Sequence, residues 1–333
     1  MPSASDDIAT SCLAITTESL LRAVDILTSG GLVAFPTETV YGLGGDACNA
    51  AAVTAIFAAK DRPAFNPLIS HVASAEVAFD LGVATPIARC LAKAFWPGPM
   101  TLILKRSETC PIARLTSAGL DKIAIRVPAH AAARDLLEAF GGPVAAPSAN
   151  PSGRISPTRA EHVVAGLAGR VSLVLDGGPC ESGVESTVID CTGDTAHILR
   201  PGGITREAVA TALAAEGLSL AASVDHADPD APASPGMLAS HYAPDAAVRL
   251  NVTRADQGME LIGFGPTAGA GKLALNLSPE GNLAEAAANL FDMMHAADAT
   301  NARVIGIAPI PATGLGDAIN DRLNRAAAPR QQP

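Results

Sequence analysis

The spacing of hydrophobic positions changes several times along this chain. Leu20, Leu21, Val24 and Leu27 recur at helical spacing. With Thr17 ahead of them and Gly30-Gly31 behind, they predict a capped helix over 18–29. The apolar run 32–35 then predicts a strand. A helix is expected over 50–59, with Val53, Ile56 and Phe57 facing inward, followed by a strand over 68–72. The next helix, 87–95, ends at Trp96-Pro97-Gly98-Pro99. Strands follow over 100–104 and over the alternating stretch 122–127. A helix over 131–140 leads to a short strand at 144–146, which runs into Pro147-Ser148-Ala149-Asn150. Strands over 173–175, 186–190 and 196–199 precede a helix over 206–215. Early alternation and late clustering of strands predict an α/β fold with a twisted mixed sheet.

The pattern lapses over 216–244, where Asp225, Asp228, Pro229, Asp230, Pro232 and Pro235 give a linker composition. Beyond it, strands are expected over 247–251, 260–264, 273–277 and 304–307, with helices over 283–297 and 318–327. The predicted organisation is a disordered tail at 1–14, a catalytic domain at 15–216, a linker or lid at 217–246 and a smaller C-terminal domain at 247–333.

Composition narrows this picture. The chain has 333 residues, 48% hydrophobic but 3% aromatic, so the cores must be aliphatic. No apolar run approaches the roughly 20 residues a membrane helix needs, and the polar, acidic N-terminus lacks the features of a signal peptide. The six cysteines are scattered without metal-ligand spacing and read as reduced thiols of a cytoplasmic protein, with no metal site. A net charge of −10 argues against general nucleic-acid binding. The charge is uneven: 16 Lys/Arg stand against 19 Asp/Glu up to Arg206, and 7 against 14 from Glu207 onward. The cations thus concentrate in the first domain.

Candidate chemistry lies there too. Pro36-Thr37-Glu38-Thr39-Val40-Tyr41-Gly42-Leu43 supplies hydroxyls in a turn, and Lys60, Arg62 and Asn66 add two cations and an amide. Arg126 and Arg200 end predicted strands, Ser148, Asn150 and Ser156 occupy small-residue loops, and Ser186 starts a predicted strand. Arginine suits bidentate contact with phosphate or carboxylate, and lysine acts as a point charge. Each feature also has a plain structural reading, as a solvated charge or as turn chemistry. Gly265 to Leu273 imitates a phosphate loop but fails at Pro266 and Leu273, so it reads as a surface turn. No Ser/His/Asp order indicates a covalent mechanism.

Taken together, the motifs resemble one family. They are the run from Phe35 to Leu43, Lys60-x-Arg62 with Asn66-Pro67-Leu68-Ile69, and Trp96-Pro-Gly-Pro-Met-Thr-Leu. Arg126-Val-Pro, Ala146-Pro-Ser-Ala-Asn150, Gly183-Val-Glu-Ser-Thr-Val188 and Leu199-Arg-Pro-Gly202 follow in order. This set is similar to the YrdC-like threonylcarbamoyl-AMP synthases. The run from Ser234 to Pro244 and the closing stretch from Gly314 to Ala327 resemble the long, two-domain form.

The resemblance implies a YrdC-like sheet around a cationic cavity and a Rossmann-like C-terminal domain. It implies a nucleotidyltransferase that joins L-threonine, bicarbonate or CO₂, and ATP into threonylcarbamoyl-adenylate and pyrophosphate. Mg²⁺ would come with the nucleotide, and a separate transferase complex would carry the group to tRNA. By the family pattern Lys60, Arg62, Ser148 and Asn150 are catalytic. Arg62, Asn66, Lys122, Ser148, Ser156, Arg200 and Tyr242 would hold ATP. Thr39, His71, Arg126, Ala146 and Ser186 would hold threonine, and His241 and Tyr242 would form a lid. Lys122 departs from the pattern, which has a small hydroxyl residue there, and Ala239 and Ser240 replace larger, basic ones. The alternative is a YrdC-like RNA-binding module without turnover.

Overall fold

The structure is a computed structural model that describes residues 8–63, 65–222, 240–266 and 275–329. Residues 1–7 of the expected tail, 223–239 of the linker and most of the phosphate-loop imitation lie outside these, as does the first half of the strand expected over 273–277.

Chain order in the first unit begins β1 (Ser11–Ala14), α1 (Thr17–Thr28), β2 (Val33–Phe35), β3 (Gly42–Asp46), α2 (Ala50–Lys60) and β4 (Ile69–His71). It continues α3 (Ala75–Leu81), α4 (Pro86–Phe95), β5 (Met100–Lys105), β6 (Lys122–Arg126), α5 (Ala131–Phe140) and β7 (Val144–Ala145). It closes with α6 (Ala160–Leu167), β8 (Leu173–Asp176), β9 (Thr187–Asp190), β10 (His197–Arg200) and α7 (Arg206–Ala215). Ten strands form one mixed sheet in the order β1-β8-β2-β3-β7-β4-β6-β5-β9-β10. The expected mixed α/β architecture is therefore observed.

Local chemistry explains most boundaries. Thr16, rather than Thr17, caps α1 through a reciprocal box with Ser19. Asn49 caps α2, and Asp61 ends it in the left-handed conformation. Thr85 caps α4 with Pro86 in its first turn. Ser11–Ala14, expected within the tail, instead pairs in parallel with Leu173–Asp176. Cys12 and Ala14 are exposed or nearly so, while Leu13 packs against the core behind β8, so an edge strand forms with little apolar sequence.

The second unit comprises β11 (Ala247–Arg249), β12 (Met259–Ile262), α8 (Leu283–Asp298), β13 (Val304–Ile307) and α9 (Leu315–Ala327). Its three strands are parallel, in the order β11-β13-β12. Its apolar core gathers Leu290, Phe291, Met294, Ile305, Ile307, Ile319 and Leu323. The same cluster takes in Val40, Ile155 and Val184 of the first unit, and Tyr242. The two units therefore share buried surface.

Gly183 makes this close approach possible. Its φ of +66° is left-handed, and a β-carbon there would lie 2.3 Å from the Ala287 carbonyl oxygen of α8. Gly183→Ala is expected to destabilise the protein by about 1–3 kcal/mol, because backbone at the seam must shift. Gly193→Ala meets nothing within 4 Å and is expected to stay within ~0.5 kcal/mol of the parent. Urea unfolding of the two variants checks this; equal midpoints would contradict it.

Candidate active site

Strand register brings the candidate residues together. β4 and β6 are parallel with His71 opposite Arg126, so both strands deliver their last side chain to one place. β5 and β9 run parallel to each other, with Met100 opposite Thr187, which sets Ser186 just outside the start of β9. β10 returns antiparallel to β9, and Arg200 ends it. The Pro36-to-Leu43 turn and the Ala146-to-Asn150 loop are tied by backbone bonds from Ala149 to Tyr41 and from Leu43 to Pro147, at 2.8 and 2.7 Å.

These segments line one partly open cavity, with about 60 Å³ of room for the centres of water-sized spheres. The lining includes Thr39, Arg62, His71, Arg126, Ala146 and Ser148, together with Ser186, Arg200, His241 and Tyr242. Expected nucleotide, threonine and lid residues thus meet at one cavity.

Each lining cation is held by its own chain. Arg62 donates to the carbonyls of Asn66 and Pro67, at 3.3 and 3.0 Å. Arg200 donates from Nη2 to the Ser186 carbonyl at 2.8 Å and to its hydroxyl at 3.1 Å. Arg126 donates to Thr39 Oγ1 at 2.8 Å and to the Gly98 carbonyl at 3.3 Å, and it ion-pairs with Glu38 at 2.8 Å. Burial raises the affinity of Glu38 for a proton, but Arg126 outweighs it and holds the carboxyl below its ordinary range. Burial, reinforced by Arg200, draws the Arg62 pKa down to about 10, which still leaves the guanidinium charged at neutral pH.

The histidines are neutral. Burial and the neighbouring Arg126 push His71 down to about 3. Burial pushes His241 well below its ordinary value, and Arg62, Lys60, Arg200 and Arg325 act in the same direction. Nδ1 of each ring is buried and has no hydrogen-bond partner among the described residues. Tyr242 is 1% exposed, and its ring lies 4.1 Å from His241 and 5.5 Å from Phe291 between centroids. The described part of the expected lid is therefore seated against the cavity.

The sequence matches two family models. One, Sua5–YciO–YrdC, described as "Telomere recombination", covers residues 25–202. The other, described as "Threonylcarbamoyl-AMP synthase, C-terminal domain", covers residues 204–328. The chain belongs to the Sua5–YciO–YrdC family. It is 40% identical to the threonylcarbamoyl-AMP synthase of Bacillus subtilis over 93% of each chain. It is 41% identical to the enzyme of that name from Pyrococcus abyssi, over 92% of this chain and 94% of the relative. The crystal structure of P. abyssi Sua5 complexed with L-threonine superposes with a TM-score of 0.84 at 38% identity, covering 96% of this chain and 97% of that one.

Within this family member, several expected ligand residues sit behind the cavity wall. Lys60 is 1% exposed, and its ammonium donates to the carbonyls of Ser148 and Asn150. Burial and Arg62 both lower its pKa. Asn150 donates its amide to the carbonyls of Pro151 and Arg154, each at 2.9 Å. Ser156 donates to Glu185 at 2.5 Å. Asn66 is fully buried, and neither side-chain polar atom has a partner among the described residues.

Lys122, expected to hold ATP, is not among the residues that line the cavity. It begins β6, four residues before Arg126, which at strand rise separates the two by about 13 Å. Its side chain is 48% exposed and pairs with Asp190 at 2.8 Å, so it does not face the cavity.

Sequence reasoning missed Glu185, a carboxylate on a cationic wall. It also missed Arg322 of α9, which donates to Glu185 at 2.7 Å. Both lay inside recognised motifs, and no local signal pairs residues so far apart in sequence.

The neutral His71 sets a pH dependence. Its folded pKa lies below the unfolded value of 6.5, so its contribution is complete above about pH 6.5 and is lost as pH falls toward 3. Unfolding free energy is expected to drop by up to ~1.4 kcal/mol per pH unit from this residue over that interval. Urea titrations at several acidic pH values should show a shallower slope for His71→Gln. An unchanged slope would contradict the assignment.

Proposed function

We propose that this cavity makes threonylcarbamoyl-adenylate and pyrophosphate from L-threonine, bicarbonate or CO₂, and ATP, for threonylcarbamoyladenosine formation in tRNA. Family membership over nearly the whole chain supports the activity. The observation that carries the site reading is the convergence of Arg62, Arg126 and Arg200 with hydroxyls and two neutral histidines on one cavity. Such a site suits an amino acid carboxylate beside a polyphosphate.

In this reading Arg126 takes the threonine carboxylate, with Thr39, His71, Ala146 and Ser186 completing that wall. Neutral imidazole suits a wall that already carries Arg126. The neutral threonine amine attacks carbon to give a carbamate: with CO₂ a C=O π bond opens and one N–H proton is released to solvent, and with bicarbonate the C–OH bond breaks and the hydroxide leaves with that proton as water. A carbamate oxygen then attacks the α-phosphorus of ATP. The bond from that phosphorus to the bridging oxygen breaks, and pyrophosphate leaves. Arg62, Arg200 and Ser148 would stabilise charge on the phosphoryl groups, and Tyr242 would cover the nucleotide. No protein nucleophile is needed.

Lys60 and Asn150 would act by holding the 148–150 loop in place, and Ser156 by orienting Glu185. Asn66, with its buried and unsatisfied amide, would turn toward the nucleotide on binding. Mg²⁺ would arrive with the nucleotide, because both oxygens of the lining carboxylate Glu185 are already engaged by Ser156 and Arg322. Closure by His241 and Tyr242 would keep water from the labile carbamate. The product would pass to a transferase acting on tRNA in the cytoplasm. Among the described residues no helix is long and apolar enough to cross a membrane.

The test is pyrophosphate release from ATP and Mg²⁺. It should require both threonine and bicarbonate, and its absence from folded protein would overturn the reading. Arg62→Met removes a guanidinium that contacts backbone carbonyls, so the fold should survive. Loss of one charge-assisted contact of about 1.5–3 kcal/mol predicts a fall in kcat/KM for ATP of roughly 10- to 150-fold. Lys122→Ala should leave the same parameter within about twofold, since Lys122 is half-exposed and pairs with Asp190 rather than lining the cavity.

A further inference from the structure

α9 ends the described chain, yet it reaches the cavity wall. Arg322 is fully buried and uses three faces of its guanidinium. Nε donates to Glu185 Oε2 at 2.7 Å, Nη1 to Asp321 at 2.6 Å and Nη2 to the Pro201 carbonyl at 2.9 Å. The guanidinium carbon also lies 5.4 Å from the centroid of the Tyr242 ring. One turn further on, the carbonyl of Arg325 accepts the backbone N–H of His241 at 3.2 Å. Arg325 is itself held by Asp321 at 3.1 Å.

Apart from Asp321, which lies on the same helix, each of these partners borders the cavity or adjoins a residue that does. Glu185 lines it and precedes Ser186, and Pro201 follows Arg200. His241 and Tyr242 line it from the other side. One helix thus grips the wall and the cover together.

We propose that Arg322 is a positioning residue for the reaction, and that through it α9 latches the His241–Tyr242 cover onto the Glu185–Arg200 wall. The kinetic part of this inference rests on the function proposed above. The physical basis is the planar fork of arginine. It fixes two carboxylates, a carbonyl and a ring at defined angles, which lysine cannot reproduce. Glu185 is then pinned on both oxygens, by Ser156 and by Arg322. The opposite wall, formed by Thr39, His71 and Arg126, is held instead through Glu38 and Gly98.

This division predicts a split in kinetic constants. Arg322→Met should lower kcat by roughly 10- to 100-fold, because misplacement of positioning groups acts on the reacting geometry. The KM for threonine should move less than about threefold. Arg322→Lys should recover little, since the fork is lost. Glu185→Gln should lower kcat less, and the double variant Arg322→Met/Glu185→Gln should be no worse than Arg322→Met alone, since both changes break one link. Rates are normalised to the folded fraction, so a change that merely reduced stability would leave kcat unaltered.

Amide hydrogen exchange tests the latch without turnover. Protection at His241, Tyr242 and Ala243 should fall at least tenfold in Arg322→Met and in Arg322→Lys, while the β4 and β6 amides keep theirs. Should Arg322→Met fail to fold, Arg322→Lys and Glu185→Gln carry both measurements. Unchanged exchange at 241–243 in a folded Arg322 variant would overturn the latch, whatever the activity of the parent. A parent that turns over, with kcat unchanged in the variants or with independent, multiplying losses in the double variant, would overturn the positioning role.

Discussion

The structure depends on burying cations against its own backbone carbonyls. Lys60, Arg126 and Arg200 are buried and Arg62 is partly buried, and each donates to main-chain oxygen. A buried cation without partners is costly, and a full carboxylate for each would cancel the field the site needs. Carbonyl oxygens satisfy the donors while leaving the positive charge in place. The carboxylates present, Glu38 and Glu185, are assigned to particular guanidinium groups, Arg126 and Arg322. The cavity keeps a net positive field in a protein whose overall charge is −10.

That arrangement explains why the loops are stitched as they are. Lys60 bridges Ser148 and Asn150, so the end of α2 fixes the loop after β7. Arg200 fixes the residue before β9 from the end of β10. The strand order then presents these loops to one another. The C-terminal unit completes the enclosure, because its apolar core absorbs Val40, Val184 and Tyr242 from around the cavity. Polar contacts from α9 alone would be a weak seam; a shared core makes the enclosure cooperative with folding.

Much of the fold was legible because its strands are aliphatic runs and its helices carry caps and stops. The exceptions have physical causes. β3 reads Gly-Leu-Gly-Gly-Asp and lacks strand formers, yet a β-carbon at Gly44 would meet Phe35 at 2.8 Å and Val144 at 2.9 Å. Close packing, not propensity, makes it a strand. α3 has seven residues and α6 eight, too short for a clear period. The residues of the site were legible as a set, since charge and hydroxyls at loop ends stand out. Their partners were not. A lysine in sequence does not say whether it faces a ligand, as expected for Lys60, or a carbonyl, as observed. Lys122 poses a related problem: strand alternation gives its face, but not which end of the strand meets the cavity.

A cavity with a net positive field should favour anionic ligands over neutral ones. Thermal unfolding with ATP and with adenosine at equal concentration tests it most directly, without requiring turnover. ATP should raise Tm, since it binds the folded cavity and neutralises clustered cations; at 100 times its Kd the linkage stabilisation is about 2.7 kcal/mol. Adenosine should raise Tm far less, and added salt should erode the ATP effect. Equal shifts from ATP and adenosine, or no shift from ATP at saturating concentration, would contradict the account.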